Sequence, residues 1–318
     1  MKEQFKKEVE DGLSSSPKSL PSKYFYDKKG DELFIQIMHL PEYYLTRAEL
    51  EIFQTQTLNI VKSLNLDKSQ YFELIELGAG DGLKTKELLS FLNKENYKFD
   101  FFPIDISHNA LDILEKTIND ELPNISIKKK HGDYFQVLES LKDSHHPKVV
   151  LFLGSNIGNM EDEIAAQFLY KLGANLSLDD KLYLGVDLVK SKDIILPAYN
   201  DKEGVTRKFN LNLLHRINNE LGGNFNLKHF IHKPQYDEKE GIARSFLVST
   251  KEQSVYIKTL DKIFYFEKGE KISTEISRKY NDDILKKIIK DTDFKIIEKL
   301  KDSKENFANY ILNREEST

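Results

Sequence analysis

The sequence predicts an α/β fold with a mainly parallel, doubly wound sheet. From Tyr71 onward, short apolar runs alternate with helical segments, and the run at 149–153 lacks the apolar–polar alternation of a half-exposed strand. Strands buried on both faces are typical of parallel sheets covered by helices. A glycine-rich turn at 78–82 follows the first apolar run and precedes a helical run. Strand, tight turn and helix in this order indicate a sheet that holds a nucleotide-like cofactor.

The elements before this sheet are mainly helical. Residues 1–20 predict a short helix and then an arm that is either mobile or docked. A helix is expected over 31–39, ending near Pro41. Thr46, with Glu49 three residues later, predicts a capping box that opens a helix through about residue 64.

The sheet region predicts alternating strands and helices up to about residue 190. Its strands are expected at 71–77, 99–104, 125–128, 148–153 and 181–187. Its helices are expected near 84–94, 108–118, 134–142 and 161–174.

After residue 190 the pattern changes. A long helix is expected over 200–222, ending at paired glycines. Strand-like runs then predict an antiparallel meander at 228–233, 243–250, 254–259 and 262–266. After a helix at 281–291, the apolar runs at 294–297 and 309–312 predict a hairpin that closes the first sheet.

The bulk composition limits the possible functions. The chain has 318 residues, 39% hydrophobic and 31% charged, which suits a globular protein with a sizeable core. A net charge of -5 gives no broad basic field, so we expect no nucleic-acid partner. The absence of cysteine excludes disulfides, thiolate nucleophiles and Cys-ligated metal sites. No apolar run reaches membrane-spanning length and no signal peptide is evident, so we expect a cytoplasmic protein without a membrane partner.

The glycine-rich turn bears on the choice of cofactor. Gly78, Gly80 and Gly82 give G-x-G-x-G, which differs from the G-x-G-x-x-G pattern of dinucleotide binding. Methyltransferases that use S-adenosylmethionine often carry E/D-x-G-x-G at this turn, and Glu76 fits that version. Asp105 ends the next strand, where a carboxylate can accept both ribose hydroxyls, although a helix cap would also explain it. An NAD-dependent dehydrogenase is disfavoured but stays open on these residues alone.

Two later loops add candidate contacts. Asp133 and Tyr134 follow the third strand, where an acid could accept the adenine amino group beside an aromatic ring, or an ordinary turn could form. The loop 154–159 follows the fourth strand, at the edge where open α/β sheets bind ligands. Asn159 in this loop could face a methyl acceptor or simply cap a polar turn.

Short segments from almost the whole chain form one ordered pattern. They are 18–27, 40–44, 46–49, 76–80, 152–155, 157–159, 187–190, 198–201 and 274–277. In this pattern the chain resembles the histidine-specific Nα-methyltransferases of the ergothioneine pathway. The resemblance implies a Rossmann-like methyltransferase domain from 59–192 and 281–318, which binds S-adenosylmethionine. It also implies a second, α+β substrate-binding domain from 1–58 and 193–280.

The turn motif and the resemblance together give two sets of site residues. The cofactor set is Glu76, Gly78, Gly80, Lys84, Asp105, Asp133 and Tyr134. The substrate set is Tyr26, Tyr43, Asn159, Tyr199, Ser245, Glu275 and Ser277.

Each substrate residue suits the role that the resemblance implies. Asn159 and Tyr199 can donate to a carboxylate, and Glu275 can accept an imidazole N–H. Ser277 can satisfy the other ring nitrogen. Tyr26 and Tyr43 offer aromatic surface to an amine that becomes cationic on methylation.

The chain departs from the family pattern at three positions. Leu45 stands where proline is common, and Asn156 stands where threonine is usual. Ser245 stands where a pocket-lining methionine is expected. Ser245 therefore keeps open the same chemistry on another amino acid or small amine.

The resemblance implies stepwise methyl transfer from S-adenosylmethionine to the α-amine of free L-histidine, giving N,N,N-trimethylhistidine (hercynine). We expect no metal and no covalent nucleophile, and the eight histidines are interpreted as structural. No catalytic base is assigned, and Asn159 and Tyr43 are expected to align the amine. We expect a monomer acting on a small molecule. A non-catalytic regulator that binds S-adenosylmethionine is the alternative of another class.

Overall fold

A computed structural model of the chain describes residues 2–132, 144–178 and 180–315. The helices of this part are α1 Lys2–Ser14, α2 Lys28–His39, α3 Leu45–Leu64, α4 Thr85–Lys94, α5 His108–Glu121, α6 Asp162–Ala174, α7 Lys192–Tyr199, α8 Val205–Leu221 and α9 Asp282–Ile288. The strands are β1 Lys18–Ser19, β2 Tyr71–Leu77, β3 Lys98–Asp105, β4 Ser126–Ile127, β5 Lys130–His131, β6 Lys148–Phe152, β7 Lys181–Asp187, β8 Phe230–Asp237, β9 Ile242–Ser249, β10 Gln253–Ile257, β11 Lys262–Phe266, β12 Lys271–Arg278, β13 Phe294–Lys301 and β14 Phe307–Arg314. The helix predicted at 134–142 lies outside the described residues.

The chain forms two compact units, each built from separate stretches of sequence. The first unit contains 1–44 and 190–277, and the second contains 45–189 and 278–318. The sequence placed the first boundary after residue 58, inside α3. The whole of α3 belongs to the second unit because its apolar face packs there, where the Phe53 ring lies edge-on to Tyr183 of β7 at 5.5 Å.

The second unit contains the predicted sheet. Its described strands lie in the order β13-β14-β7-β6-β2-β3-β4, with β5 also paired to β3. The strands from β2 to β7 pair in parallel, whereas β14 runs antiparallel to β7 and β13 runs antiparallel to β14. The mainly parallel sheet and its closing hairpin are therefore confirmed.

Helices cover both faces of this sheet. On one face, Phe152 of β6 packs against Phe168 of α6 with ring centroids 5.1 Å apart. On the other face, Tyr183 packs against α3. Burial on both faces explains why β6 and β7 read as continuous apolar runs.

The first unit carries a four-stranded sheet in the order β1-β12-β9-β8 and a separate β10-β11 hairpin. The prediction of one continuous meander is wrong. After the hairpin the chain turns at Gly269, whose N–H donates to the Ser249 carbonyl at 2.8 Å and whose φ is +87°. After this turn, β12 pairs with β9, and the β10-β11 hairpin forms a separate sheet.

The N-terminal arm is docked, which decides between the two predicted states. Phe5, Val9 and Leu13 of α1 are buried, and Phe5 lies 4.4 Å from the Tyr24 ring. Two residues of the arm then form β1, which pairs in parallel with β12. The arm is therefore part of the first unit's core and sheet.

The helix predicted from residue 200 begins later, at Val205. Both carboxylate oxygens of Asp201 accept backbone N–H groups, from Val205 and Thr206 at 2.8 Å each. These bonds satisfy the first free amides of α8, so the chain before Asp201 forms the separate helix α7. In the described part of the chain, no helix is long and apolar enough to cross a membrane.

Candidate active site

The glycine-rich turn after β2 has a backbone that requires glycine. Gly78, Gly80 and Gly82 have φ values of 71°, 55° and 66°. A Cβ atom on Gly82 would lie 2.3 Å from Leu114 Cδ1, so α5 packs where a side chain would be. A Cβ atom on Gly80 would meet nothing within 4 Å. The turn therefore presents its backbone at Gly80 to open space, where a ligand can approach closely.

Asp105 at the end of β3 holds this turn in place. Its Oδ2 accepts the Gly80 N–H at 3.0 Å, and its Oδ1 accepts the Ser107 N–H at 2.9 Å. The N-cap of α5 is Ser107, whose hydroxyl accepts from Ala110, so the alternative in which Asp105 caps that helix is wrong. A carboxylate oxygen has two lone pairs, so it can accept from a hydroxyl group as well as from a backbone N–H.

Glu76 is a buried acid next to the turn. Thr85 donates its hydroxyl to Glu76 Oε1 at 2.7 Å, whereas Oε2 is buried without a hydrogen-bond partner among the described residues. Burial raises the pKa of Glu76 to about 8, because the charged carboxylate loses its hydration there. A buried acceptor without a partner needs either a proton or a donor from a ligand.

Lys84 and Glu49 form an ion pair beside the same turn. Lys84 Nζ lies 2.6 Å from Oε2 of Glu49, whose side chain is fully buried. The capping-box prediction is wrong, because α3 begins at Leu45, one residue before Thr46, and the Glu49 carboxylate turns into the unit. The helical spacing of the sequence could have indicated this burial, because Glu49 lies on the same face of α3 as the buried residues Leu45 and Ile52.

The loop after β6 is held in an uncommon conformation. Ser155 has a φ of 58°, and its hydroxyl accepts the Asp187 N–H at 3.0 Å. A Cβ atom on Gly158 would lie 2.7 Å from the Arg278 carbonyl oxygen. These contacts fix the short 3-10 helix Asn156–Asn159, which places half-buried Asn159 beyond the carboxyl end of β6.

The first unit brings four substrate candidates together in two hydrogen-bonded pairs. Tyr199 donates its hydroxyl to Ser277 Oγ at 2.7 Å, and Ser245 donates its hydroxyl to Glu275 Oε2 at 3.4 Å. Glu275 and Ser277 are two residues apart in β12, so they lie on the same face of that strand.

Two of the three tyrosine substrate candidates, Tyr26 and Tyr43, belong to one aromatic cluster. Phe34 lies edge-on to Tyr26 at 5.6 Å and to Tyr43 at 6.2 Å. Phe209 of α8 contacts Tyr26 at 5.7 Å and Phe34 at 5.8 Å. The sequence interpretation missed Phe34 and Phe209, because lone phenylalanines in amphipathic helices usually signal core packing.

Of the remaining candidates, Asp133 and Tyr134 lie outside the described residues. Asn159 belongs to the second unit, and the other six substrate candidates belong to the first. Within residues 2–132, 144–178 and 180–315, no group of three or more His, Asp or Glu side chains is arranged to hold a metal ion.

The sheet order, the glycine-rich turn and the acids at the ends of β2 and β3 define a Rossmann-like methyltransferase. The chain belongs to the family of histidine-specific, S-adenosylmethionine-dependent methyltransferases, whose family model matches residues 5–314.

Three relatives are similar to this chain over most of its length. Histidine N-alpha-methyltransferase of Mycolicibacterium smegmatis is 36% identical over 278 residues, which are 87% of this chain and 85% of that protein. Ergothioneine biosynthesis protein 1 of Schizosaccharomyces pombe is 30% identical over 93% of this chain and 39% of its own length. A 4-dimethylallyltryptophan N-methyltransferase of Trichophyton verrucosum is 27% identical over 64% of this chain and 61% of its own length.

Proposed function

We propose that the protein transfers methyl groups from S-adenosylmethionine to the α-amine of free L-histidine, in steps that end at N,N,N-trimethylhistidine. The observation that carries this substrate is the pair Glu275 and Ser277 on one face of β12, each held by a second hydroxyl group. The 36% identity to a histidine N-alpha-methyltransferase supports it.

The pair on β12 suits an imidazole ring. A carboxylate accepts an N–H strongly and favours a ring that can carry a proton. The Ser277 hydroxyl can donate to or accept from the second ring nitrogen, because a hydroxyl does both. The hydrogen bond from the Tyr199 hydroxyl to Ser277 Oγ orients the serine side chain.

The other end of the substrate carries a carboxylate and an amine. Asn159 has an amide donor for the carboxylate, and its carbonyl can accept from the amine. Tyr199 could donate to the carboxylate only if its single O–H broke its hydrogen bond to Ser277 Oγ. The cluster of Tyr26, Phe34 and Tyr43 offers ring faces and edges. A methylated ammonium gains from aromatic faces, and this gain increases when water is excluded.

The described cofactor residues fit S-adenosylmethionine. The Gly80 backbone faces open space, Asp105 can accept ribose hydroxyls, and Glu76 Oε2 is a buried acceptor without a described partner. Gly78 and Lys84 complete the described set, and Asp133 and Tyr134 stay predicted contacts of the adenine. S-adenosylmethionine, when bound, supplies an electrophilic methyl group.

The protein's task is then to bind, align and desolvate. Asn159 and Tyr43 stay the residues predicted to align the amine, and water exclusion would keep the amine unsolvated. The amine must be neutral to attack. Because burial near a positive sulfonium disfavours an ammonium, its pKa would fall without a dedicated base.

A second candidate is the same chemistry on another amino acid or small amine. Ser245 favours it, because this short side chain lies beside Glu275 where the family pattern expects methionine. A relative that is 27% identical over 64% of this chain carries the name of a 4-dimethylallyltryptophan N-methyltransferase, which also supports this candidate. A regulator that binds cofactor and histidine without turnover is the remaining alternative.

We also infer that the protein works in the cytoplasm as a monomer, without a nucleic-acid or membrane partner. The net charge of -5 and the lack of cysteine support this setting. Sedimentation velocity of the purified protein tests the monomeric state.

The function is tested with isotope-labelled S-adenosylmethionine and unlabelled L-histidine. We expect products with one, two and three added methyl groups, with nuclear magnetic resonance placing each on the α-nitrogen. Label on a ring nitrogen would overturn the proposal. Binding of both ligands without any product would favour the regulator.

A further inference from the structure

Glu49 joins three parts of the second unit through one buried carboxylate. Its Oε2 accepts from Lys84 Nζ at 2.6 Å and from the Gly154 N–H at 2.8 Å. Its Oε1 accepts from Asn309 Nδ2 at 2.9 Å. One oxygen atom therefore ties the segment after the glycine-rich turn to the loop after β6. These segments follow neighbouring parallel strands, at the edge where doubly wound sheets bind ligands.

Two features around the Glu49 carboxylate are unfavourable for stability. A buried ion pair is often no more stabilising than well-packed apolar side chains of the same volume. In addition, a Cβ atom on Gly185 in β7 would lie 2.0 Å from Glu49 Oε1, so β7 accepts a glycine in its interior. Glycine inside a strand weakens it. Features that cost stability and lie at a ligand-binding edge point to a functional role.

We propose that Glu49 is a positioning residue for the cofactor, which fixes the Lys84 ammonium and the Gly154 peptide before the cofactor binds. This inference rests on the proposed contact between Lys84 and S-adenosylmethionine. A lysine ammonium has three N–H donors, and Glu49 uses one, so the others stay available for an anionic ligand group. Holding a flexible lysine in one geometry lowers the ordering cost of binding.

Asn309 makes an isosteric test possible. Its Oδ1 is buried without a hydrogen-bond partner among the described residues, while its Nδ2 donates to Glu49. In the E49Q variant, the amide oxygen can stay in the place of Oε2 and accept from both Lys84 and Gly154. The new amide N–H can then donate to Asn309 Oδ1 after that side chain flips. E49Q therefore keeps the geometry, whereas E49A removes it.

The experiment measures S-adenosylhomocysteine affinity by calorimetry for wild type, E49A, E49Q, K84A and the double variant E49A/K84A, with thermal unfolding of each. We expect E49A to weaken binding about tenfold and E49Q by less than about threefold, as for coupled residues of one network. In the K84A background, E49A should add less than about threefold, because most of its effect passes through Lys84 and only the remainder through the Gly154 peptide. The KM for S-adenosylmethionine should rise in E49A more than the KM for histidine.

The matched control is E95A, which removes the carboxylate of an exposed ion pair to Lys68 in the same unit. It should leave the affinity unchanged. The inference is overturned if folded E49A binds like wild type, if the E49A and K84A effects add, or if E49Q loses as much affinity as E49A.

If E49A does not fold, E49D replaces it in the same cycle. The aspartate keeps the charge but is one methylene too short to reach Lys84 and Asn309 together. We therefore expect E49D to lose S-adenosylhomocysteine affinity about as much as E49A. Wild-type affinity in E49D would contradict the inference. Wild-type protein that binds S-adenosylhomocysteine but leaves histidine unmethylated would overturn the proposed function alone. Wild-type protein that does not bind it would overturn the cofactor site.

Discussion

Asp105 accepts the N–H of Gly80 at 3.0 Å, which links the end of β3 to the glycine-rich turn after β2. The same carboxylate accepts the Ser107 N–H at the start of the next helix. One side chain thus orders both segments that would surround the ribose of a bound nucleoside. The proposed cofactor site is therefore preorganised by the residue expected to contact the cofactor.

The first prediction concerns this aspartate. D105A removes a charged acceptor from two backbone amides and from the ribose, so we expect S-adenosylhomocysteine affinity to fall about tenfold or more. Calorimetry measures it. The control is D100N on the same strand, where Asp100 instead pairs with Lys128 and Tyr71. Equal affinities of D105A and wild type would refute a ribose contact.

The second prediction separates two glycines of the turn. G80A should cost about 1 kcal/mol of unfolding free energy, from its left-handed backbone alone. G82A should cost at least about 2 kcal/mol, because Leu114 must also move. Urea unfolding compares them. Of the two folded variants, G80A should lose more cofactor affinity, because its new methyl group would occupy the open space beside Gly80. A greater loss of affinity in G82A would contradict this expectation.

The third prediction concerns the acid proposed to bind imidazole. E275A should lower kcat/KM for histidine by about tenfold to a hundredfold, as expected for the loss of a charge-assisted hydrogen bond. S245A should have a smaller effect, because its bond to Glu275 is long at 3.4 Å. The control E252A removes an exposed carboxylate of the same unit. An unchanged kcat/KM in E275A would show that Glu275 does not bind histidine.

The fourth prediction follows from Glu76. Burial raises the pKa of this carboxyl to about 8, so the folded protein holds a proton that the unfolded chain releases above about pH 4.5. The resulting stability is present at low pH and is lost as the pH rises through about 8.

The glutamine of E76Q cannot ionise. The unfolding free energy of E76Q should therefore increase relative to that of wild type as the pH rises. The relative gain should be on the order of 4 kcal/mol between about pH 5 and about pH 8. Urea unfolding at both pH values measures it. A constant difference between the two proteins would mean that Glu76 titrates normally.

The sequence predicted the central sheet well because its strands are defined locally. The runs at 71–77 and 181–187 coincide with β2 and β7, since both strands are rich in apolar residues. The glycine-rich turn was also evident, because only glycine suits its φ values. The strand order of the first unit depends on long-range pairing, such as Lys18 with Ile272, which no local pattern encodes.

The site was predicted less completely for a similar reason. The residue types of Glu275, Ser277 and Tyr199 suggested their chemistry, but only the fold shows which hydroxyl contacts which residue. Glu49 was interpreted as a helix cap, because a spacing of three residues satisfies a capping box as well as a buried face. Its partner Asn309 lies 260 positions further along the chain.

Free L-histidine is the acceptor that we propose the protein prefers. The most direct measurement gives the protein S-adenosylmethionine and an equimolar mixture of the common amino acids, and identifies every methylated product by mass spectrometry. We predict that histidine is consumed first and accumulates as its Nα-trimethylated form. Methylation of another amino acid in preference to histidine would contradict the claim while leaving the methyltransferase assignment intact.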